Sequence, residues 1–174
     1  INREFIKDEA DLPSVKCFKA GFEFLDINKD ADNWFLQIET FDPHEPFFAP
    51  ERLREAFKTD YKGPILDWPR YDRVTETSDE VAELRANYMA LLMLCDELLG
   101  QVLAYFDKHN LWKDTTLILG TDHGFMLGEH EWWAKNRMPL YEEISHIPLF
   151  IYHPEYNLKV GEHRTALTQT IDLM

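Results

Sequence analysis

With 174 residues, 45% of them hydrophobic and 14% aromatic, the chain is long and apolar enough to bury a core as one domain, which excludes global disorder. Lys and Arg total 18 against 32 Asp and Glu, a formal net charge of −14. That balance excludes a general nucleic-acid binder, because phosphate backbones are held by pooled cations, and it leaves an anionic ligand to be gripped by a few local cations or a metal.

The first 30 residues carry only a weak pattern, and Cys17 lies among them. Residues 33–40 (NWFLQIET) place Trp34, Phe35, Leu36 and Ile38 in a short run without Gly or Pro, which predicts a mostly buried strand. The following FDPHEPFFAP holds three prolines in ten residues and excludes regular structure. Residues 50–57 suit a short helix with Pro50 in its first turn, and 59–71 read as an irregular excursion.

The clearest element starts near Thr77, where Thr77 and Glu80 have capping-box spacing. Val81, Leu84, Tyr88, Leu91, Leu92, Cys95, Leu98, Leu99, Val102, Leu103 and Phe106 then follow three-and-four spacing to a left-handed stop at Asn110, predicting a helix of about 30 residues. Leu84, Leu91, Leu92, Leu98 and Val102 are expected to be buried against a sheet, with Glu83, Glu97 and Lys108 in water. Gly100 predicts a close-packed neighbour. Apolar runs at 115–121 and 147–152 predict two further strands. Strands separated by a long helix imply crossover connections, hence an α/β fold with a largely parallel sheet.

Cys17 and Cys95 make no disulfide framework, and Cys95 reads as a buried structural thiol. No stretch approaches the roughly 18 consecutive apolar residues that span a bilayer. The opening Ile1-Asn2-Arg3-Glu4 resembles no signal peptide. Their absence says little about compartment, which is left unknown with the cytoplasm slightly favoured over export.

In open α/β sheets ligands sit beyond the carboxyl ends of strands, where two polar clusters fall: Asp42-Pro43-His44-Glu45-Pro46 and Asp122-His123-Gly124. Asp122 offers hard oxygens suited to Ca²⁺, Mg²⁺ or Mn²⁺, and His123 tilts the choice toward Mn²⁺ or Zn²⁺ if it ligates. The plain alternative is a strand-ending turn in which Asp bonds its own backbone. Residues 124–143 then gather two glycines, His130, Lys135, Arg137 and two tryptophans without a period, as functional segments do. Lys135 and Arg137 are candidate donors to an anionic ester, or else solvated surface cations.

TLILGTDHGFMLGEHEWWAKNRMPLYEEISHIPLFIYHP resembles the late signature of the sulfatase family, within the alkaline-phosphatase-like superfamily. FLQIETFDPHEPF resembles that family's central strand and its Pro-His-x-Pro-Phe turn. The helix between them, with Asp96 and Gly100, and the closing TQTIDLM also match, so the resemblance covers residues 34–174. The whole of 1–174 thus reads as the central-to-late part of one catalytic domain, incomplete at both ends, with an alkaline-phosphatase-like, largely parallel sheet flanked by helices. Gly-Glu-His and Trp-Ala-Lys place it nearest the iduronate- and choline-sulfatase side of the family.

The resemblance implies metal ligation by Asp122 and His123, a catalytic acid at His44, a sulfate-holding and catalytic Lys135, and substrate contact at His130. It also implies one divalent metal, calcium foremost with manganese, magnesium or zinc as alternatives. The nucleophile would be a formylglycine outside this chain, because neither Cys17 nor Cys95 sits in the family's nucleophile motif and the early paired Asp ligands are missing. The expected activity is metal-dependent hydrolysis of a small anionic sulfate ester, with the isolated chain inactive. The alternatives are a phosphonate monoester or phosphodiester hydrolase of the same superfamily, and a non-catalytic metal-binding or interaction domain. The sequence fixes neither the alcohol that bears the ester nor the oligomeric state.

Overall fold

The computed structural model describes residues 3–159 and 161–173; Ile1, Asn2, Val160 and Met174 lie outside the described residues. A helix that the weak early pattern did not announce comes first. In α1 (Pro13–Asn28) Pro13 sits at the first turn and Ser14, Gly21 and Leu25 are buried, as suits a ring whose fixed φ is already helical. α2 (Glu51–Ala56) follows Pro50 as its N-cap, within a residue of the predicted bounds at each end.

The long helix α3 (Ser78–His109) is where the spacing puts it. Thr77 and Glu80 close the capping box, and Asn110 ends the helix in the left-handed region at φ 54°. Leu84, Leu91, Leu98 and Val102 are buried, but Leu92 is 39% exposed, because it falls one residue outside the inward stripe. Lys108 is exposed, while Glu83 and Glu97 are only half so. Glu97 is drawn in by Arg52 of α2. Gly100 has no neighbour within reach of an added Cβ, contrary to expectation.

α3 is long and apolar enough, by length and composition, to cross a bilayer, also contrary to the sequence reading. Its contacts are those of a core helix. Leu12, Phe47, Ala49 and Leu53 pack on Ala90, Leu91, Leu94 and Leu98. Arg85 donates to the Leu127 carbonyl at 2.7 Å.

The expected α/β architecture is not what forms. Among the described residues the chain is mostly helical, with two small antiparallel sheets and no parallel pairing. β1 (Leu117–Gly120) pairs with β4 (Leu149–Tyr152), Leu117 opposite Tyr152 and Gly120 opposite Leu149. β2 (Met126–Leu127) pairs with β3 (Trp133–Ala134).

Two causes account for the difference. The segment between β1 and β4 contains no crossover helix, only the β2–β3 pair, the four-residue α4 (Glu142–Ser145) and short turns, so the chain can double back beside itself. The predicted strand at 33–40 forms no regular element and joins no ladder, and Asn33 has φ 62°. Its alternate residues face α1: Trp34 meets Phe24 edge-on at 6.2 Å, and Ile38 lies against Gly21. Phe35 on the other face is 83% exposed. The core therefore forms between α3 and the helices and turns beside it, not between α3 and a sheet.

Leu91 has no solvent exposure, so Leu91→Ala removes apolar contacts that α3 makes with α2 and the Phe47 turn. The expected cost is about 2–5 kcal/mol, read as a lower denaturant midpoint at unchanged slope.

Candidate active site

The first polar cluster folds as a tight turn with cis bonds at Asp42–Pro43 and Glu45–Pro46. His44 lies within it, its ring stacked on Phe41 at 4.1 Å. Nδ1 is 2.8 Å from the Glu45 carbonyl and 3.2 Å from Glu45 Oε2. Glu45 is 1% exposed, and its Oε1 accepts from the Tyr71 hydroxyl. Burial and then the Glu45 carboxylate push Tyr71 up to about 12, so the phenol remains the donor. Asp42 accepts from Ser14 of α1. Burial holds its carboxyl above the usual range, although the Ser14 bond and His44 pull the other way.

The second cluster follows β1. Asp122 Oδ1 accepts from the His123 amide at 2.9 Å, as a turn aspartate does. Burial alone would raise this carboxyl, but His123, the local amides and the Thr121 hydroxyl hold it below the usual range. His123 Nδ1 lies 2.8 Å from the Gly124 carbonyl. That contact leaves Nε2 as the acceptor for the Lys135 ammonium at 3.2 Å, with Asp122 Oδ2 3.4 Å away. Gly124 is required here: its amide bonds the Ile144 carbonyl at 2.9 Å, and an added Cβ would collide with the Glu143 backbone.

Lys135 comes from a strained loop. His130, Glu131, Ala134 and Asn136 all have positive φ, from 50° to 81°, at about 1–2 kcal/mol each for non-glycine residues. Such strain persists where the surroundings over-determine it, and here residues 72–76 do so. The Asp72 carbonyl accepts from the Trp133 amide at 3.0 Å, Glu76 from its indole at 2.8 Å, and Arg73 lies over the Trp132 ring at 4.3 Å. Trp133 and Ala134 are fully buried, so the residue that follows them is aimed rather than free. A shallow cavity of about 210 Å³ opens beside it, lined by His123, Lys135, Met138, Pro139, Leu140 and Ile144 among others.

Asp122, His123 and Lys135 thus converge. His130 stands nearby but separately, stacked on Tyr141 at 4.0 Å and paired with Glu143 at 3.2 Å. Arg137 is turned away into an ion pair with Asp72 at 3.1 Å. No hydrogen bond or ion pair among the described residues joins His44 to the Lys135 group. The two turns are linked instead by packing: Phe47 meets Phe125 at 5.7 Å and Tyr88 of α3 at 5.3 Å. Sequence reasoning missed Tyr71, which lies 26 residues from the Glu45 it binds and has no local signal. Both cysteines are free, and burial, then Asp42, pushes Cys95 up to about 12, which fits an inert thiol.

A sequence model of the sulfatase family matches residues 12–174. The chain belongs to the sulfatase family. It is 25% identical to a multifunctional alkaline phosphatase superfamily protein, PehA, of Trinickia caryophylli, over 84% of this chain and 34% of the relative. It is 31% identical to an N-acetylglucosamine-6-O-sulfatase of Bacteroides thetaiotaomicron over 70% of this chain and 20% of that protein. An arylsulfatase of Clostridium perfringens is 24% identical over 99% of this chain and 38% of its own length. The chain therefore spans about a third or less of the length of the first two relatives.

Sulfatases typically use a divalent metal and a formylglycine. The Asp122 carboxylate, 81% exposed, and the His123 imidazole have suitable chemistry for the metal. Yet no group of three or more such donors exists among the described residues, and a hard cation takes about six to eight oxygens. These residues alone do not make a metal site. Calorimetric titration of Ca²⁺ or Mn²⁺ into this chain is expected to show binding no tighter than about 1 mM, the weak end for protein calcium sites, with Asp122→Ala making no difference. Tight binding that survives Asp122→Ala would remove Asp122 from the assignment.

Proposed function

We propose that this chain supplies part of the catalytic machinery of a sulfuric ester hydrolase, with an alcohol, aryl or sugar sulfate as substrate. The observation that carries the reading is that the Lys135 ammonium and the Asp122 carboxylate lie 3.2 and 3.4 Å from the same atom, His123 Nε2, in a chain of net charge −14. Against such a field an anionic ester needs a local cation, and Lys135 is the cation that the strained loop aims at this turn.

In this reading Lys135 steadies the non-bridging oxygens of the transferred group, where oriented charge does most for rate. His44 gives a proton to the departing oxygen, a role that needs hydrogen-bond reach of the ester. Asp122 and His123 would be this chain's share of a divalent-metal site completed by residues outside it, and a metal bound there would supply Lewis-acid polarisation of the ester oxygens. His130, braced by Glu143 and Tyr141, contacts the rest of the substrate. A second reading, hydrolysis of a phosphonate or phosphodiester by the same residues, is favoured by the likeness to a relative named as multifunctional within the alkaline phosphatase superfamily.

The test is a leaving-group series of sulfate esters, run beside matched phosphodiesters, on the complete gene product that contains this chain. Lys135→Ala is expected to lower kcat/KM for every ester, by about 100-fold or more. His44→Ala is expected to lose about 100-fold or more on alkyl esters and far less on nitrophenyl esters, because a proton helps in proportion to the basicity of the leaving atom. Equal His44→Ala losses across the series would remove the acid role. Faster turnover of the phosphodiesters would favour the second reading.

A further inference from the structure

Glu45 is a buried carboxylate with one oxygen left over. Its side chain is 1% exposed. Oε1 is satisfied by the Tyr71 hydroxyl, but Oε2 is buried without a hydrogen bond, an arrangement that costs free energy unless a charge compensates it. The group within reach that can carry such a charge is His44, whose Nδ1 lies 3.2 Å from Oε2. The same nitrogen is 2.8 Å from the Glu45 backbone carbonyl. Both neighbours of Nδ1 are oxygens that only accept, so Nδ1 carries a hydrogen. Its N–H is directed at the carbonyl, and Oε2 sits beside that axis as a counter-charge. Phe41 covers one ring face at 4.1 Å, and Nε2 has no protein partner among the described residues.

The geometry points to Glu45 as the positioning residue for His44: clamped by Tyr71, its buried carboxylate is the counter-charge that reinforces the Nδ1 hydrogen bond to the Glu45 carbonyl and leaves Nε2 as the atom that delivers the proton. This rests on the reading of His44 as the acid. The doubly protonated ring, the form a proton donor starts from, gives Oε2 the charge it lacks. On transfer the Nε2–H bond breaks and an O–H bond forms on the departing alcohol. The ring is left neutral with its Nδ1 hydrogen in place, and Glu45 stays a carboxylate throughout. The arrangement parallels the buried carboxylates that orient catalytic and metal-bound histidines, reached here by two adjacent residues in one turn.

Two readouts on the complete gene product test this. Nitrogen-15 spectra of the histidine side chains report which ring nitrogen carries hydrogen. For His44 the neutral form is expected to hold it on Nδ1, and Glu45→Gln is expected to give a mixture of both forms. In the leaving-group series, Glu45→Gln should lower kcat by about 10- to 100-fold on alkyl esters, with KM and the nitrophenyl rate little changed. The double variant His44→Ala/Glu45→Gln should lose no more than His44→Ala alone, since the carboxylate acts through the ring. Tyr71→Phe releases the clamp and should shift both readouts in the same direction by less, which keeps the test open if Glu45→Gln folds poorly. Additive losses in the double variant, or a Glu45→Gln enzyme with His44 still held on Nδ1, would overturn the role of Glu45. A leaving-group-independent His44→Ala loss with the Nδ1 hydrogen intact would instead overturn the acid reading on which the role rests.

Discussion

Phe47, Tyr88 and Phe125 meet ring to ring, with centroids 5.3, 5.7 and 6.5 Å apart. Phe47 lies three residues after His44, Phe125 two after His123, and Tyr88 on the inner side of α3. Each such pair contributes about 0.5–1.5 kcal/mol beyond its buried area, and together they hold two turns 80 residues apart in sequence to one helix. Neither turn has regular structure of its own to fix it. The candidate site therefore depends on an apolar contact in which no candidate catalytic group takes part.

The two turns solve one chemical problem in the same way. His44 and His123 each place Nδ1 2.8 Å from the carbonyl of the next residue. In both cases the carbonyl accepts from the Nδ1 side and Nε2 is presented outward. What differs is the partner beyond the ring. His123 faces an ammonium, which leaves Nε2 an acceptor, whereas His44 has a buried carboxylate behind it and an open Nε2. The same local geometry thus leaves one Nε2 facing an ammonium and the other open.

Local patterns were legible wherever one element's own residues decide the outcome. The Thr77–Glu80 box, the Asn110 stop and most of the buried stripe of α3 follow from backbone donors and a 3.6-residue period. The Asp122-His123-Gly124 turn was readable too, since Gly124 is demanded by a backbone approach. Strand pairing was not readable. Residues 33–40 have strand composition, but a ladder needs a neighbour, and in this chain that segment finds only α1 on one side. Parallel order was inferred from α3 lying between two apolar runs, and it failed because the first run enters no sheet. α1 was missed because Gly21 and Ser14 form its buried face along with Leu25, and small residues leave little hydrophobic signal. Tyr71 and the brace at 72–76 act across tens of residues, beyond any local pattern.

α3 rises about 48 Å over its 32 residues, and each of the three apolar clusters has members on it: Leu84 beside Trp133, Ala90 to Leu98 beside α2, and Val102 with Phe106 beside Leu111. A single rod shared by all three clusters makes local opening expensive along its middle. Amides between those clusters are expected to exchange with solvent mainly through global opening. The β1–β4 ribbon is the contrast. Ile118, Phe150 and Ile151 are 46–65% exposed and four-residue strands frame it, so its amides are expected to open through small fluctuations. The turn that carries Asp122 and His123 is therefore joined through Phe125 to the long central rod and through β1 to a thin, exposed ribbon.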